Sequence, residues 1–263
     1  MPVRRCLRPR QPQPVRLIPE VSRSTIAVRS RGETLRARCG WMRGTRDEMR
    51  QRMTTDDRSR PAEDPQSFSN VDDVTRITQL VLRERQGRDR GWWDQMTDTY
   101  WPDSKVRLSW YDGDGPGFVA GSQKQTEHGD TAVHHMFAPV VNVRGSKAHV
   151  EVSASTWSTL EVHGSPVYVN AGIRLNYRVE RRQGEWRILS LDPIYEYSTL
   201  TPALPGQAIE IPADELAQYR TSYAALAWSL AQLGVPPSND DMGDDRPDEV
   251  AAFYAQIHEW LDN

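Results

Sequence analysis

The side chains able to move a proton near neutral pH are few: the chain has six histidines, His128, His134, His135, His149, His163 and His258. A histidine held by a carboxylate is the smallest unit for abstracting a proton next to a carbonyl. The carboxylate fixes one tautomer and raises the basicity of the imidazole, so the other ring nitrogen takes the proton. No His-x-His or His-x-x-x-His spacing with carboxylates occurs, so no metal site is expected. The two cysteines, Cys6 and Cys39, make neither a disulfide framework nor a zinc site. No G-x-S-x-G, Walker or dinucleotide fingerprint is present, which leaves nucleophilic hydrolase, NTPase and dehydrogenase chemistry without support. The run DGDGPG (112–117) lacks the register and closing Glu of a calcium loop and reads as a turn. Trp92, Trp93, Trp101, Trp110 and Trp157 suit either a core or an aromatic-lined cavity. Trp93, Trp110, Tyr111, Met136 and Asn170 form the candidate substrate-binding set. Asn170 orients a ligand oxygen only if its strand phase, shared with Tyr168, Gly172 and Arg174, faces a cavity; otherwise that phase is a solvated outer face.

The elements that must position these groups are legible from periodicity. VDDVTRITQLVLRERQ places Val71, Val74, Ile77, Leu80, Val81 and Glu84 three and four apart, an amphipathic helix capped by Asn70 or Asp72 and ended or loosened by Gly87. A second helical pattern runs through Trp93, Met96 and Tyr100, and Pro102 stops it. KVRLSWYD alternates Val106, Leu108 and Trp110 against Arg107, Ser109 and Tyr111, a strand, and FVAGSQKQTEHGD is a short helix. Four strand-like runs follow, AVHHMFAPVVNVRG, KAHVEVSASTWSTLEVHG, PVYVNAGIRLNYRVERRQG and EWRILSLDPIYEY, separated by Gly-containing turns. The pattern predicts an α+β domain over 66–206, with a curved antiparallel sheet and N-terminal helices packed on one face. Residues 207–263 form a C-terminal helical pair, the first member running unbroken from Pro212 to Gly234.

Charge is unevenly spread over the 263 residues, whose net charge is -3. Residues 1–52 carry 14 Arg against 4 acidic residues, and the remainder is acidic, which argues against nucleic-acid binding by the folded part. Residues 1–65, Arg/Pro-rich at the start and without apolar periodicity, are expected to be a disordered leader, with Met53 an alternative start. No apolar run is long enough to span a membrane, and a cytoplasmic protein is expected.

The order of elements and three segments resemble the SnoaL-like branch of the nuclear transport factor 2 superfamily, which includes polyketide cyclases, scytalone dehydratase and steroid isomerases. The segments are RDRGWWDQMTDTYWPD, VHHMFAPVVNVRGSKAHV and GEWRILSLDPIYE, and the likeness covers about residues 71–197. The resemblance implies a cone-like half-barrel whose mouth holds a small apolar ligand. It places Asp89 where relatives have a pocket aspartate and His134 where they have the catalytic histidine. Trp110 stands near the position of a ligand-binding tyrosine in scytalone dehydratase; an indole N–H donates one hydrogen bond but supplies no acidic phenol.

The resulting expectation is a lyase or isomerase that needs no cofactor and acts on a small hydrophobic carbonyl-containing ligand. His134, oriented by Asp89, removes a proton and leaves an enolate that expels water, reprotonates elsewhere or closes a ring. The rival is a non-catalytic ligand-binding or assembly module, with His134 a satisfied polar residue at a strand start. Whether Asp89 and His134 meet at one cavity separates the two. His135, on the opposite strand face, is expected at an interface or against a helix. A homodimer through the outer sheet face is expected, unless residues 212–261 fold back and cover that face.

Overall fold

The computed structural model describes residues 70–129 and 132–263; the expected leader and alternative start lie outside the described residues. Helix α1 (Val71–Arg90) carries Asp72 and Asp73 in its first turn and Arg88 and Arg90 in its last, matching charge to the helix dipole. It runs three residues past Gly87, contrary to expectation, and ends at Gly91, whose φ of 67° lets its N–H turn back onto the carbonyls of Gly87 and Arg88. Gly87 serves close approach instead: a Cβ there would stand 3.0 Å from the backbone N of Met96 in α2 (Trp93–Thr97).

The second helix is shorter than its pattern. Tyr100 and Pro102 belong to strand β1 (Tyr100–Leu108). A register shift between Tyr100 and Lys105 takes Pro102 out of regular pairing, so its missing N–H leaves no ladder bond unmade. Trp110 lies in the tight turn between β1 and β2 (Tyr111–Gly113) rather than on a strand. Asp114 caps α3 (Gly115–Glu127) by accepting the Gly117 N–H at 2.7 Å.

The first of the four expected runs, AVHHMFAPVVNVRG, splits into β3 (Val133–Met136) and β4 (Val140–Arg144), which both pair with β5 (Lys147–Val162). Two-residue turns join β5 to β6 (Ser165–Arg182) and β6 to β7 (Glu185–Pro202). Their residues, His163–Gly164 and Gln183–Gly184, all have positive φ, the hairpin geometry that matches strand twist. The seven-stranded sheet is curved and unclosed, in the order β2-β1-β7-β6-β5-β3, with β4 also beside β5. It is antiparallel except for β1, which runs parallel to β7.

One face of the sheet carries Val150, Val152, Ile173, Leu175 and Tyr177, packed with Ile77, Val81, Met96 and Phe118 in the main core. The chain after β7 departs from the expected helical pair. The helix expected from Pro212 to Gly234 is broken into α4 (Ala213–Leu216) and α5 (Ala224–Gln232). Arg220 and Ser222 instead bond to Asp245, and Arg220 also to the Asp241 carbonyl, bonds that hold the intervening chain out of helix. Ser198 of β7 accepts the otherwise unpaired N–H groups of Ala225 and Leu226 at the start of α5.

Helix α6 (Pro247–Asp262) packs Phe253 and Ile257 on Ile194, and its Tyr254 hydroxyl donates to Glu151. It therefore covers one half of the opposite sheet face. The other half leaves Val133, Trp157, Tyr168 and Tyr197 exposed. No helix among the described residues is long and apolar enough to cross a membrane.

Candidate active site

The last turns of α1 bring Glu84, Arg85, Arg88 and Asp89 to the inner face of the sheet, where β3 begins. Asp89 grips one residue twice: Oδ1 accepts from His134 Nδ1 at 2.8 Å and Oδ2 from the His134 backbone N–H at 2.7 Å. Arg88 Nη1 donates to the Ala132 carbonyl at 2.8 Å, so adjacent side chains of the helix pin the start of β3. With Nδ1–H committed to the carboxylate, Nε2 carries the lone pair. Arg85 Nη1 is 3.4 Å from it.

His134 and Arg85 line a cavity of about 250 Å³. Its walls are Leu108, Trp110 and Phe118 on one side and Ile173, Leu175 and Tyr195 of the sheet on another. Leu226, Leu230 and Leu233 of the α5 segment, with Val235, close it. The C-terminal extension is thus part of the site. Behind the cavity, Glu84 is wholly buried; it accepts from the Tyr100 hydroxyl at 2.9 Å and the Tyr177 hydroxyl at 3.3 Å and lies 3.1 Å from Arg85 Nη2. Burial and the neighbouring Glu84 charge both push these two phenols up, so each remains a hydrogen-bond donor.

Burial pushes the His134 imidazole down to about 4; the Arg85 and Arg88 charges add to this, while Asp89 opposes it. Burial would raise the Asp89 carboxyl, but the ring and backbone hydrogen bonds of His134 outweigh it and hold Asp89 low. His134 is therefore neutral, with an available lone pair, across the physiological range. A stability consequence follows. The unfolded chain takes up the His134 proton near its ordinary value of about 6.5, before the folded protein does. The contribution of a neutral His134 is complete above about 6.5 and is lost as pH falls toward 4, on the order of 3 kcal/mol. Urea unfolding at pH 7.5 and 4.5 should show a smaller acid loss in His134→Gln than in the native protein. An equal loss in both excludes this origin.

Of the expected site residues, His134 and Trp110 line the cavity, and Asp89 stands behind its wall, bonded to His134. The other four do not line it. Trp93 and Met136 pack against the main core. The Tyr111 hydroxyl donates to the Asp114 carbonyl at 2.8 Å, and its ring stacks near Trp110 and Phe118. Asn170 donates to Ser155 Oγ at 2.6 Å and the Thr156 carbonyl at 3.1 Å, because its strand phase is the outer one. Of the five tryptophans, Trp110 alone borders the cavity. His135 is exposed, its ring centroid 6.4 Å from that of Trp157. Among the described residues no group of three or more His, Cys, Asp or Glu is placed to hold a metal ion. Sequence reasoning missed Arg85, Arg88, Tyr195 and the α5 leucines as lining residues.

Residues 69–192 match the SnoaL-like domain family, a span that holds both Asp89 and His134. The chain is 26% identical over 176 residues to pea pathogenicity protein 2 of Fusarium vanettenii, covering 64% of this chain and 76% of that protein. It is 25% identical over 210 residues to a PEP2-like protein of the same fungus, covering 74% and 90%. Similar solved structures include a hexachlorocyclohexane dehydrochlorinase, LinA type 2, at 14% identity and TM-score 0.46, covering 56% of this chain and 99% of that one. LinA type 3 from Novosphingobium barchaimii has 16% identity and TM-score 0.44, with the same coverage. What the chain shares with known proteins is thus a SnoaL-like domain over residues 69–192.

Proposed function

We propose that the protein is a lyase or isomerase that removes a proton next to the carbonyl of a small hydrophobic substrate. The observation that carries this reading is the 2.8 Å bond from His134 Nδ1 to Asp89 in a residue that lines an apolar cavity. Nε2 takes the proton from carbon, and the C–H electron pair passes into the enolate. The imidazolium so formed is held by the Asp89 carboxylate. Nε2–H then returns its proton to another carbon, giving an isomer, or to a departing hydroxyl, giving water and the unsaturated product. Proton transfer of this kind contributes about 10²–10⁴-fold, and positioning in an apolar site supplies more.

Proton abstraction can be read without knowing the final product. Ketones and aldehydes that bind the protein should incorporate deuterium at the α-carbon in D₂O, seen by mass spectrometry, and His134→Ala should abolish the incorporation. If ligands bind and none exchanges, the non-catalytic binding module with the same fold replaces the enzyme.

The protein acts, in the same proposal, as a homodimer through the exposed half of the outer sheet face around Trp157, Tyr168 and Tyr197. Light scattering at micromolar concentration should give twice the chain mass of 30.0 kDa. A single-chain mass removes the dimer and leaves the cavity chemistry untouched.

A further inference from the structure

Charge is distributed unequally around the cavity. Arg85, Arg88, His128 and His134 line it, and among the described residues no Asp or Glu does. The carboxylates beside the two arginines, Glu84 and Asp89, lie behind the wall. Arg88 is engaged by the Ala132 carbonyl and lies 3.9 Å from Asp89. Arg85 is held differently. It is 2% exposed, and its Nη2 lies 3.1 Å from Glu84 Oε2 without its N–H aimed at that oxygen. Among the described residues neither Nη2 nor Nε has a hydrogen-bond acceptor, and Nη1 makes a long 3.4 Å approach to His134 Nε2.

Buried N–H groups without acceptors are costly, at about 1–3 kcal/mol each, so native structures rarely leave two on one side chain without a use. A guanidinium presents its donors as a planar fork that fits the oxygens of a carboxylate or a delocalised enolate. A neutral carbonyl offers one oxygen to this fork, whereas a carboxylate offers two. The rest of the described wall carries no charge: leucine, isoleucine, phenylalanine and tryptophan dominate it, with hydroxyls such as Thr156, Ser158 and Thr159 between them, which fits a largely apolar body attached to one charged end.

We propose that the cavity takes an organic anion, an apolar body ending in a carboxylate or enolate oxygen, and that Arg85 holds the charged end. This rests on the reading of the cavity as the ligand site and narrows the class of ligand it accepts. It also gives Arg85 a second effect. Drawing its Nη1 onto the ligand removes it from His134 Nε2, so the ligand uncovers the base that acts on it.

Three probes with one apolar body test this in the native protein by isothermal titration at pH 7.5: 2-naphthylacetate, the neutral 2-naphthylacetamide and the cationic 2-(2-naphthyl)ethylamine. The acetate should bind at least about tenfold more tightly than the amide, as expected for a charge-assisted pair, and the amine should bind weakest. Because Arg85→Gln alone strands the Glu84 charge, the variant used is Glu84→Gln/Arg85→Gln, checked for fold by circular dichroism. There the acetate should lose its advantage while amide binding holds. Equal affinity of acetate and amide for the native protein overturns the anion and leaves the cavity reading standing. A preference that survives in the double variant overturns the role of Arg85. Failure of all three probes to bind overturns the proposal together with the ligand-cavity reading.

Discussion

His134→Ala and Asp89→Asn are each expected to lower the rate of α-proton exchange by about 10²–10⁴-fold, with far smaller effects on ligand affinity. The two substitutions act differently. His134→Ala removes the base. Asp89→Asn keeps the shape but replaces one of two acceptor oxygens with an NH₂ donor, while His134 presents two donors, its ring Nδ1–H and its backbone N–H. If the amide oxygen keeps the backbone, the NH₂ faces Nδ1 and drives the ring proton to Nε2, so the lone pair no longer meets the substrate. Asp89→Asn/His134→Ala should then be no slower than His134→Ala alone, because both act on one proton transfer. Additive losses contradict the coupled pair, and full activity in His134→Ala ends the catalytic reading. His135→Ala is the control: its side chain points out of the site toward Trp157 and should leave exchange near native.

The pH dependence of exchange carries the same logic. His134 must be neutral to act, and in the free protein burial and Arg85 hold it down to about 4. kcat/KM should therefore stay flat from pH 8 to below the ordinary histidine value and fall only as pH approaches 4. An inflection in kcat/KM near about 6.5, the value of an unperturbed histidine, would show that the base is a more exposed group than His134.

The sheet was legible because its signal is short-range. Seven alternate apolar positions from Val167 to Val179 and the glycine turns define β6 and its hairpins without outside information. The parallel contact of β1 with β7 was not, since it pairs chain about ninety residues apart and leaves no local mark. The end of α1 shows the limit in detail. The stripe Ile77, Val81, Glu84 and Arg85 continues the helical spacing of an apolar face into charged residues, and Arg88 follows on it. A polar group on a buried stripe is the sequence mark of an internal charge network, and it was there to be read. Asp89 and His134, 45 positions apart, could be joined only by resemblance to a family, because nothing in their local pattern links them. The α5 wall was hidden for another reason. A leucine-rich helix shows that it has a buried face but not which surface it buries against.

The largest stability effect belongs to the same internal network. Glu84→Gln is expected to destabilise the fold by about 3–5 kcal/mol, the cost of stranding one member of a buried ion pair. Burial disfavours the charged guanidinium and the adjacent Glu84 charge opposes this; because an arginine does not deprotonate in proteins, its charge persists unpaired when Glu84 is neutralised. The amide of Gln also offers one acceptor where Glu84 offers two, so one of the Tyr100 and Tyr177 hydroxyls loses its acceptor. The urea midpoint reads the loss directly. If the damage is an orphaned charge, Glu84→Gln/Arg85→Met should recover most of it, since replacing a whole buried pair is far less costly than breaking it. Arg85 also lines the cavity, so this rescued variant should regain stability without regaining affinity for an anionic ligand. A Glu84→Gln loss below about 1 kcal/mol would mean that water already reaches Arg85 and that its charge is solvated rather than paired. A large loss left unrescued by Arg85→Met would assign the effect to the two tyrosines instead.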